Sequence, residues 1–289
     1  MRLRHHGIDV PYPLSVLRGR LRLCGLSHLE SSRVLNDVKD LDSLDDLLNH
    51  VRTALKKRSD STIKDFELLT KYEELRADKT VPSLVIIMSG ASATGKSIVA
   101  LELVNDLVAT RFISTDTVRQ VLRNTVEKET HPELFTHTYQ AHVHRQAGPE
   151  ELLPTVRGFL AQCELITPHI KSMTERILSE GTLGVVEGVH VIPGELQGLS
   201  HGVVELLINP EEEVHRAMFI SKHESGLRTV SEDPETRSQE FVVTREIQQY
   251  LSDEATREKV PIIAMNNFED AYNQVANIIL ERVRRMVTD

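Results

Sequence analysis

The segment Gly90-Ala91-Ser92-Ala93-Thr94-Gly95-Lys96-Ser97 has the spacing of a phosphate cradle, G-x-x-x-x-G-K-[ST], without a mismatch. Its glycines let successive backbone N–H groups converge on an anion, and the helix that follows aims its positive end at the same point. Lys96 can neutralise charge on the outer phosphates of a nucleoside triphosphate, while the Ser97 hydroxyl can ligate Mg2+. ATP and Mg2+ are therefore the expected cofactors, held by Gly90 through Ser97. The loop lies between an apolar strand and an amphipathic helix, the setting that separates a nucleotide loop from a bare glycine-rich turn.

Two carboxylates stand where transfer chemistry would need them. Asp116, in Ser114-Thr115-Asp116-Thr117-Val118-Arg119, follows a short apolar run and falls at the ligand-binding end of a parallel sheet. It is expected to orient or deprotonate an acceptor hydroxyl, although the same position could simply cap the next helix. Glu187, in Val185-Val186-Glu187-Gly188-Val189-His190, ends another apolar strand and is expected to hold Mg2+ or its water shell with Ser97. Gly188 would allow close backbone approach there. Arg119 and Arg123 share one helix face at i, i+4 and could clamp an anionic acceptor. His190, Arg216, Arg228 and Arg245 complete the expected substrate contacts, with residues of about 216–240 as a lid over the phosphates. Four histidines, His131, His137, His142 and His144, have no recognised zinc spacing and fit a polar wall better than a metal site.

The elements that must position these groups fall into two textures. Residues 1–80 read as short amphipathic helices. A capping-box pattern opens at Ser27, a second helix starts at Ser43, a polar break covers Lys56–Ser61, and a last helix carries Ile63, Phe66, Leu69 and Tyr72. The polar stretch ending at Pro82 marks the expected boundary with a second domain, 81–289. There, five short apolar runs begin near Leu84, Arg111, Gly184, Val203 and Pro261, separated by helical patterns; this alternation predicts an α/β fold around a parallel sheet. Residues 117–183 are too long for a plain crossover and are expected to wall the substrate, with Gly181 capping the last helix.

Composition narrows the field. The 289 residues are 40% hydrophobic and 27% charged with a net charge of −9, so no bulk basic field gathers nucleic acid or an anionic membrane. The two cysteines, Cys24 and Cys163, lie far apart and suit buried, reduced positions. The opening residues lack an apolar h-region and no run approaches the ~18 apolar residues that span a bilayer. A cytoplasmic address is expected.

Together the strings Glu187-Gly188-Val189-His190-Val191-Ile192-Pro193-Gly194, Ser114 through Arg119, His215-Arg216-Ala217-Met218-Phe219 and Phe241 through Tyr250 resemble the archaeal 2-phosphoglycerate kinase family over about residues 83–285. Pro13 through Leu26 and Phe66 through Tyr72 also resemble the opening and closing helices of an ATP-cone, a small helical nucleotide-binding module whose basic opening strand is degenerate here. The resemblance implies a P-loop kinase sheet of five core strands in the order 2-3-1-4-5, with the ATP-cone-like region as a regulatory domain. It implies transfer of the ATP γ-phosphate to the hydroxyl of 2-phosphoglycerate, a small anionic phosphorylated substrate, giving 2,3-bisphosphoglycerate. Two other readings are open from the residues: a kinase of an inositol or polyol phosphate or a nucleotide sugar, and a non-catalytic ATP-gated regulator.

Overall fold

The chain opens on a two-stranded antiparallel hairpin, β1 (Arg2–His5) and β2 (Ile8–Pro11), followed by helices α1 (Ser15–Leu23), α2 (His28–Leu35), α3 (Leu44–Leu55) and α4 (Asp60–Ala77). The hairpin was not expected; each strand alternates for only four residues, too short a run for a period of two to show. The computed structural model describes residues 2–5, 8–36, 38, 43–224 and 233–288. The starts at Ser27 and Ser43 were legible because they follow local chemistry, whereas α4 begins at Asp60, inside the stretch expected as a polar break. Ser27 and Glu30 form a reciprocal capping box, and Ser43 and Ser59 each accept the N–H three residues on.

Beyond Pro82 the sheet alternates with helices. Its strands are β3 (Val85–Ser89), β4 (Arg111–Ser114), β5 (Gly184–Gly188), β6 (Val203–Asn209) and β7 (Ile262–Ala264). All neighbouring pairs are parallel, in the order β4-β5-β3-β6-β7, which numbers 2-3-1-4-5 when these five are counted in chain order. The connecting helices are α5 (Lys96–Asp106), α6 (Thr115–Leu122), α7 (Pro154–Glu180), α8 (Glu212–Glu224), α9 (Pro234–Arg257) and α10 (Phe268–Thr288). Of the span of about 216–240 expected as a lid, the described residues belong to α8 up to Glu224 and to the start of α9 from its N-cap Asp233.

β3 is apolar throughout because both faces are covered. Ile86 and Met88 face a core with α5, α10 and the N-terminal helices, whereas Val85 and Ile87 face α6 and α7 on the other side. Between α6 and α7 the expected substrate wall is built from two 3₁₀ turns, Pro132–Phe135 and Thr138–Val143, and Gly181 ends α7 in the left-handed conformation.

The change of texture near residue 80 is not a gap in the core. Leu17, Leu21, Leu47, Val51, Leu55 and Phe66 belong to the same buried cluster as Ile86, Val99 and Tyr272. Helix α1 lies directly on α5. A Cβ at Gly19 would come within 1.7 Å of the Asp106 carbonyl oxygen, so only glycine permits this crossing. Beside it Arg22, buried, stacks on the Tyr272 ring at 4.6 Å and lies 3.5 Å from Asp106, whose carboxylate accepts the Tyr272 hydroxyl at 2.6 Å. Burial pushes the Asp106 carboxyl upward, opposed by the Tyr272 hydrogen bond and the Arg22 charge. Removing one partner of such a buried pair costs on the order of 3–5 kcal/mol. The N-terminal helices are thereby fixed to the helix that carries the phosphate loop.

Candidate active site

The glycine loop joins β3 to α5 at the C-terminal edge of the sheet. Gly90, Ala93 and Gly95 take positive φ values of 151°, 67° and 87°, and α5 begins at Lys96; the Lys96 and Ser97 N–H groups precede its hydrogen-bond ladder, which opens with Ile98 N–H donating to Gly95 O at 3.1 Å. Glu187 reaches the loop from the end of the adjacent strand β5. Ser97 Oγ donates to Glu187 Oε2 at 3.2 Å, and Lys96 Nζ lies 3.8 Å from the same oxygen. A buried carboxylate paired with the loop hydroxyl, beside a lysine, is a donor set suited to a hard cation that also binds phosphate oxygens. Among the described residues, no group of three or more His, Cys, Asp or Glu side chains converges to hold a metal by itself.

Facing this wall is a cleft of about 210 Å3, lined by Lys96 and Ser97 together with Asp116, Arg119, His137, Thr138, Tyr139, Val189, Thr244 and Ile247. Asp116 does not cap α6; Ser114 holds the N-cap position, and Asp116 lies within the first turn. Its side chain is 66% exposed and pairs at 3.1 Å with Arg119, which is only 13% exposed. Arg119 NH1 donates to Thr136 O at 3.3 Å and to Thr138 Oγ1 at 3.2 Å, while its buried Nε has no hydrogen-bond partner. Burial lowers the Arg119 pKa, offset in part by Asp116. The result is a fixed guanidinium at the cleft wall, a suitable contact for an anion.

His190 does not line the cleft. It is wholly buried behind the wall and its hydrogen bonds define its tautomer. Gln162 Nε2 donates to Glu133 O at 2.6 Å, so Gln162 Oε1 faces His190 Nε2 at 3.0 Å and accepts its hydrogen. The bare Nδ1 then accepts from Thr115 Oγ1 at 3.1 Å, and Thr138 Oγ1 lies 3.3 Å from Nε2. Burial, followed by the nearby Arg119 charge, depresses the His190 pKa to about 3, so the ring is neutral. Gly188 makes room for this arrangement. A Cβ there would lie 1.8 Å from Thr115 Oγ1, and its φ of 154° disfavours an L side chain.

The remaining expected contacts are scattered. Arg123, one turn beyond Arg119, donates from Nε to Leu134 O at 2.6 Å and from NH2 to Thr136 O at 3.4 Å, tying α6 to the first 3₁₀ turn. Arg216 lies over the Phe241 ring at 4.4 Å. Arg245 donates to Pro210 O at 3.0 Å. None of these three lines the cleft. Arg228 falls outside the described residues. Of the four histidines only His137 reaches the cleft wall, stacked on Tyr139 at 5.2 Å. Thr138 and Tyr139 line the cleft without a signal that could have marked them, while Val189 and Thr244 lie within strings that carry the resemblance but were not singled out as contacts. No described helix is long and apolar enough to cross a membrane.

No family model matches the chain. Curated relatives do. A protein of Methanococcus maripaludis (strain C7) named 2-phosphoglycerate kinase is 26% identical over 293 residues, covering 97% of this chain and 92% of its own length. One of the same name from Methanothermobacter thermautotrophicus is 29% identical over 243 residues, 82% of this chain and 75% of the relative. The resemblance read from the motifs thus extends beyond residues 83–285 into the N-terminal region. Among solved structures, a shikimate kinase from Acinetobacter baumannii in complex with shikimate matches with a TM-score of 0.41 and 15% identity, over 73% of this chain and 97% of that one.

Proposed function

We propose that this chain is an ATP-dependent phosphotransferase whose acceptor is 2-phosphoglycerate, with 2,3-bisphosphoglycerate as product. One observation carries the transfer reading: Lys96 and Ser97 form one wall of the cleft whose opposite wall holds Asp116 and Arg119. A loop that merely sensed nucleotide would need no carboxylate and buried guanidinium facing its phosphates. The curated relatives of this name, similar over nearly the whole chain, support the choice of acceptor.

In this reading the acceptor hydroxyl oxygen attacks the γ-phosphorus, and the bond from that phosphorus to the ADP oxygen breaks. Asp116 orients the hydroxyl and takes its proton. Arg119 holds the acceptor's own negative charge. Lys96 offsets charge on the transferring phosphoryl group. Mg2+, held by Ser97 and Glu187, would supply further charge neutralisation between the phosphates.

The test is an acceptor screen reading ADP release, with 2-phosphoglycerate set against its 3-phospho isomer, inositol phosphates and nucleotide sugars. The expected outcome is turnover on 2-phosphoglycerate above the others, with a product carrying two phosphates by phosphorus NMR. Greater turnover on a polyol phosphate or nucleotide sugar would reassign the acceptor. With the best acceptor, Asp116→Asn should lower kcat by roughly 10²- to 10⁴-fold; unchanged kcat would remove Asp116 from the chemistry.

We also propose that residues 1–80 act as an ATP-cone-like regulatory cap over the kinase domain, 81–289. The support is their packing on α5 through Gly19 and Arg22. Two equivalents of ATP bound per chain in a titration without acceptor would favour a second site in the cap; a single equivalent would make the cap purely structural.

A further inference from the structure

The phosphate loop is gripped from outside by groups that sequence motifs for nucleotide binding do not include. Gln248, wholly buried on α9, accepts the Ala91 N–H at 2.8 Å through Oε1. Its amide cannot be reversed, because Nε2 donates to Ile208 O at 3.1 Å and to Asn209 Oδ1 at 2.9 Å. The end of β6 and the start of the loop are thus bolted together by one side chain.

A second grip acts on the next peptide but one. His215, wholly buried on α8, stands 2.8 Å from Ser92 O through Nε2. A carbonyl oxygen only accepts, so Nε2 carries the hydrogen. Arg245 NH1, which can only donate, lies 3.5 Å from Nδ1 and favours the tautomer with its hydrogen on Nε2. The ring edge packs on Phe241 at 5.2 Å, and Phe241 with Phe219 covers Ala93. In a planar trans peptide, C=O and N–H point opposite ways. Holding the Ser92 carbonyl outward on His215 therefore turns the Ala93 N–H inward, toward the phosphate side. Ala93 sits at φ 67°, a conformation a non-glycine residue keeps only when its surroundings enforce it.

We infer that Gln248 and His215, the latter backed by Arg245, are positioning residues of the donor site, setting the peptide orientations that bind the ATP phosphates. Thr244, one turn before Gln248 on the same face of α9, and Ile247 line the cleft, so one stretch of helix supports the donor loop and lines the acceptor wall. The inference rests on ATP being the donor but not on the identity of the acceptor.

The test measures nucleotide binding without acceptor, by titrating a fluorescent ATP analogue with Mg2+, and then steady-state turnover. Gln248→Met keeps the volume but leaves the Ala91 N–H buried and unpaired, and His215→Leu releases the Ser92 carbonyl. Each is expected to weaken nucleotide binding roughly tenfold and to raise KM for ATP alike, with KM for the acceptor within about twofold. His215→Gln restores a donor for Ser92 and should recover most of the loss; Gln248→Glu restores an acceptor for Ala91 and should recover it at acidic pH, where its protonated oxygen can donate to Ile208 O or Asn209 Oδ1. If Gln248→Met and His215→Leu melt like the parent and bind nucleotide equally well, the inference fails. If they do not fold, the Gln replacement, and the Glu replacement at acidic pH, decide it: recovery of nucleotide affinity supports positioning, and affinity lost in them despite a parental melting transition overturns it. Weakened nucleotide binding in a protein that turns over no acceptor would uphold this inference while defeating the proposed reaction.

Discussion

The two walls of the cleft are built by different means. In the proposed reading the donor wall comes from eight consecutive residues and one carboxylate from the next strand, with backbone N–H groups as most of its binding groups, and the other wall is the acceptor's. The acceptor wall draws Asp116 and Arg119 from α6, Thr138 and Tyr139 from a 3₁₀ turn, Val189 from the loop after β5, and Thr244 and Ile247 from α9. Its polar groups are side chains held by other side chains. A wall made of backbone is specified by conformation, which glycine spacing records. A wall made of side chains depends on which segments the fold brings together.

The sharpest way to test this division is to strike each wall once. Lys96→Met removes the charged side chain aimed at the transferring phosphoryl group, and kcat should fall by roughly 10²- to 10³-fold, read as ADP release at saturating acceptor. Its effect on KM for the acceptor should be small. Arg119→Met should do the reverse. Losing a charge-assisted contact of about 1.5–3 kcal/mol, it should raise KM for the acceptor some ten- to hundredfold while KM for ATP hardly moves. Arg123→Met should leave both constants near the parent and lower the melting temperature instead, because its partners are the Leu134 and Thr136 carbonyls. A variant that changed both KM values equally would mean the two walls are not separable.

How far each wall could be read beforehand follows from the same distinction. Gly90 through Ser97 and the apolar strand before them were recognisable because local sequence fixes local conformation, and Glu187 because an acid ending a β-branched run has few structural reasons to be there. Arg119 and Arg123, four residues apart on one helix face, were both expected at the acceptor, with Arg119 favoured over Arg123. In the fold both reach the Thr136 carbonyl, but Arg119 pairs with Asp116 and lines the cleft, whereas Arg123 turns its Nε to Leu134 O and does not line it. His190 was expected at the substrate because its neighbour Glu187 is at the loop, but Gly188 turns the chain and sends the ring inward to Thr115 and Gln162. Gln248 stood inside a recognisable string, yet nothing local says that its amide meets Ala91, 157 residues away.

His190 offers the finest test, since it supports the acceptor wall without touching the cleft. Its pKa is about 3 in the fold against an ordinary value of 6.5, through burial and then the Arg119 charge. Between those values the unfolded chain binds the proton and the native chain does not, so this group makes stability rise with pH and lose ground as pH falls. The full contribution is present above pH 6.5 and declines toward pH 3, with a slope of at most about 1.4 kcal/mol per pH unit. Asn at this position keeps an acceptor for the Thr115 hydroxyl but has no proton to bind in this range. Urea unfolding at pH 7, 6, 5 and 4 should therefore show a shallower decline for His190→Asn than for the parent, the two curves converging toward acid. Parallel curves would mean that the ring is protonated in the native protein, and the tautomer that orders Thr115, Thr138 and Gln162 behind the acceptor wall would have to be abandoned.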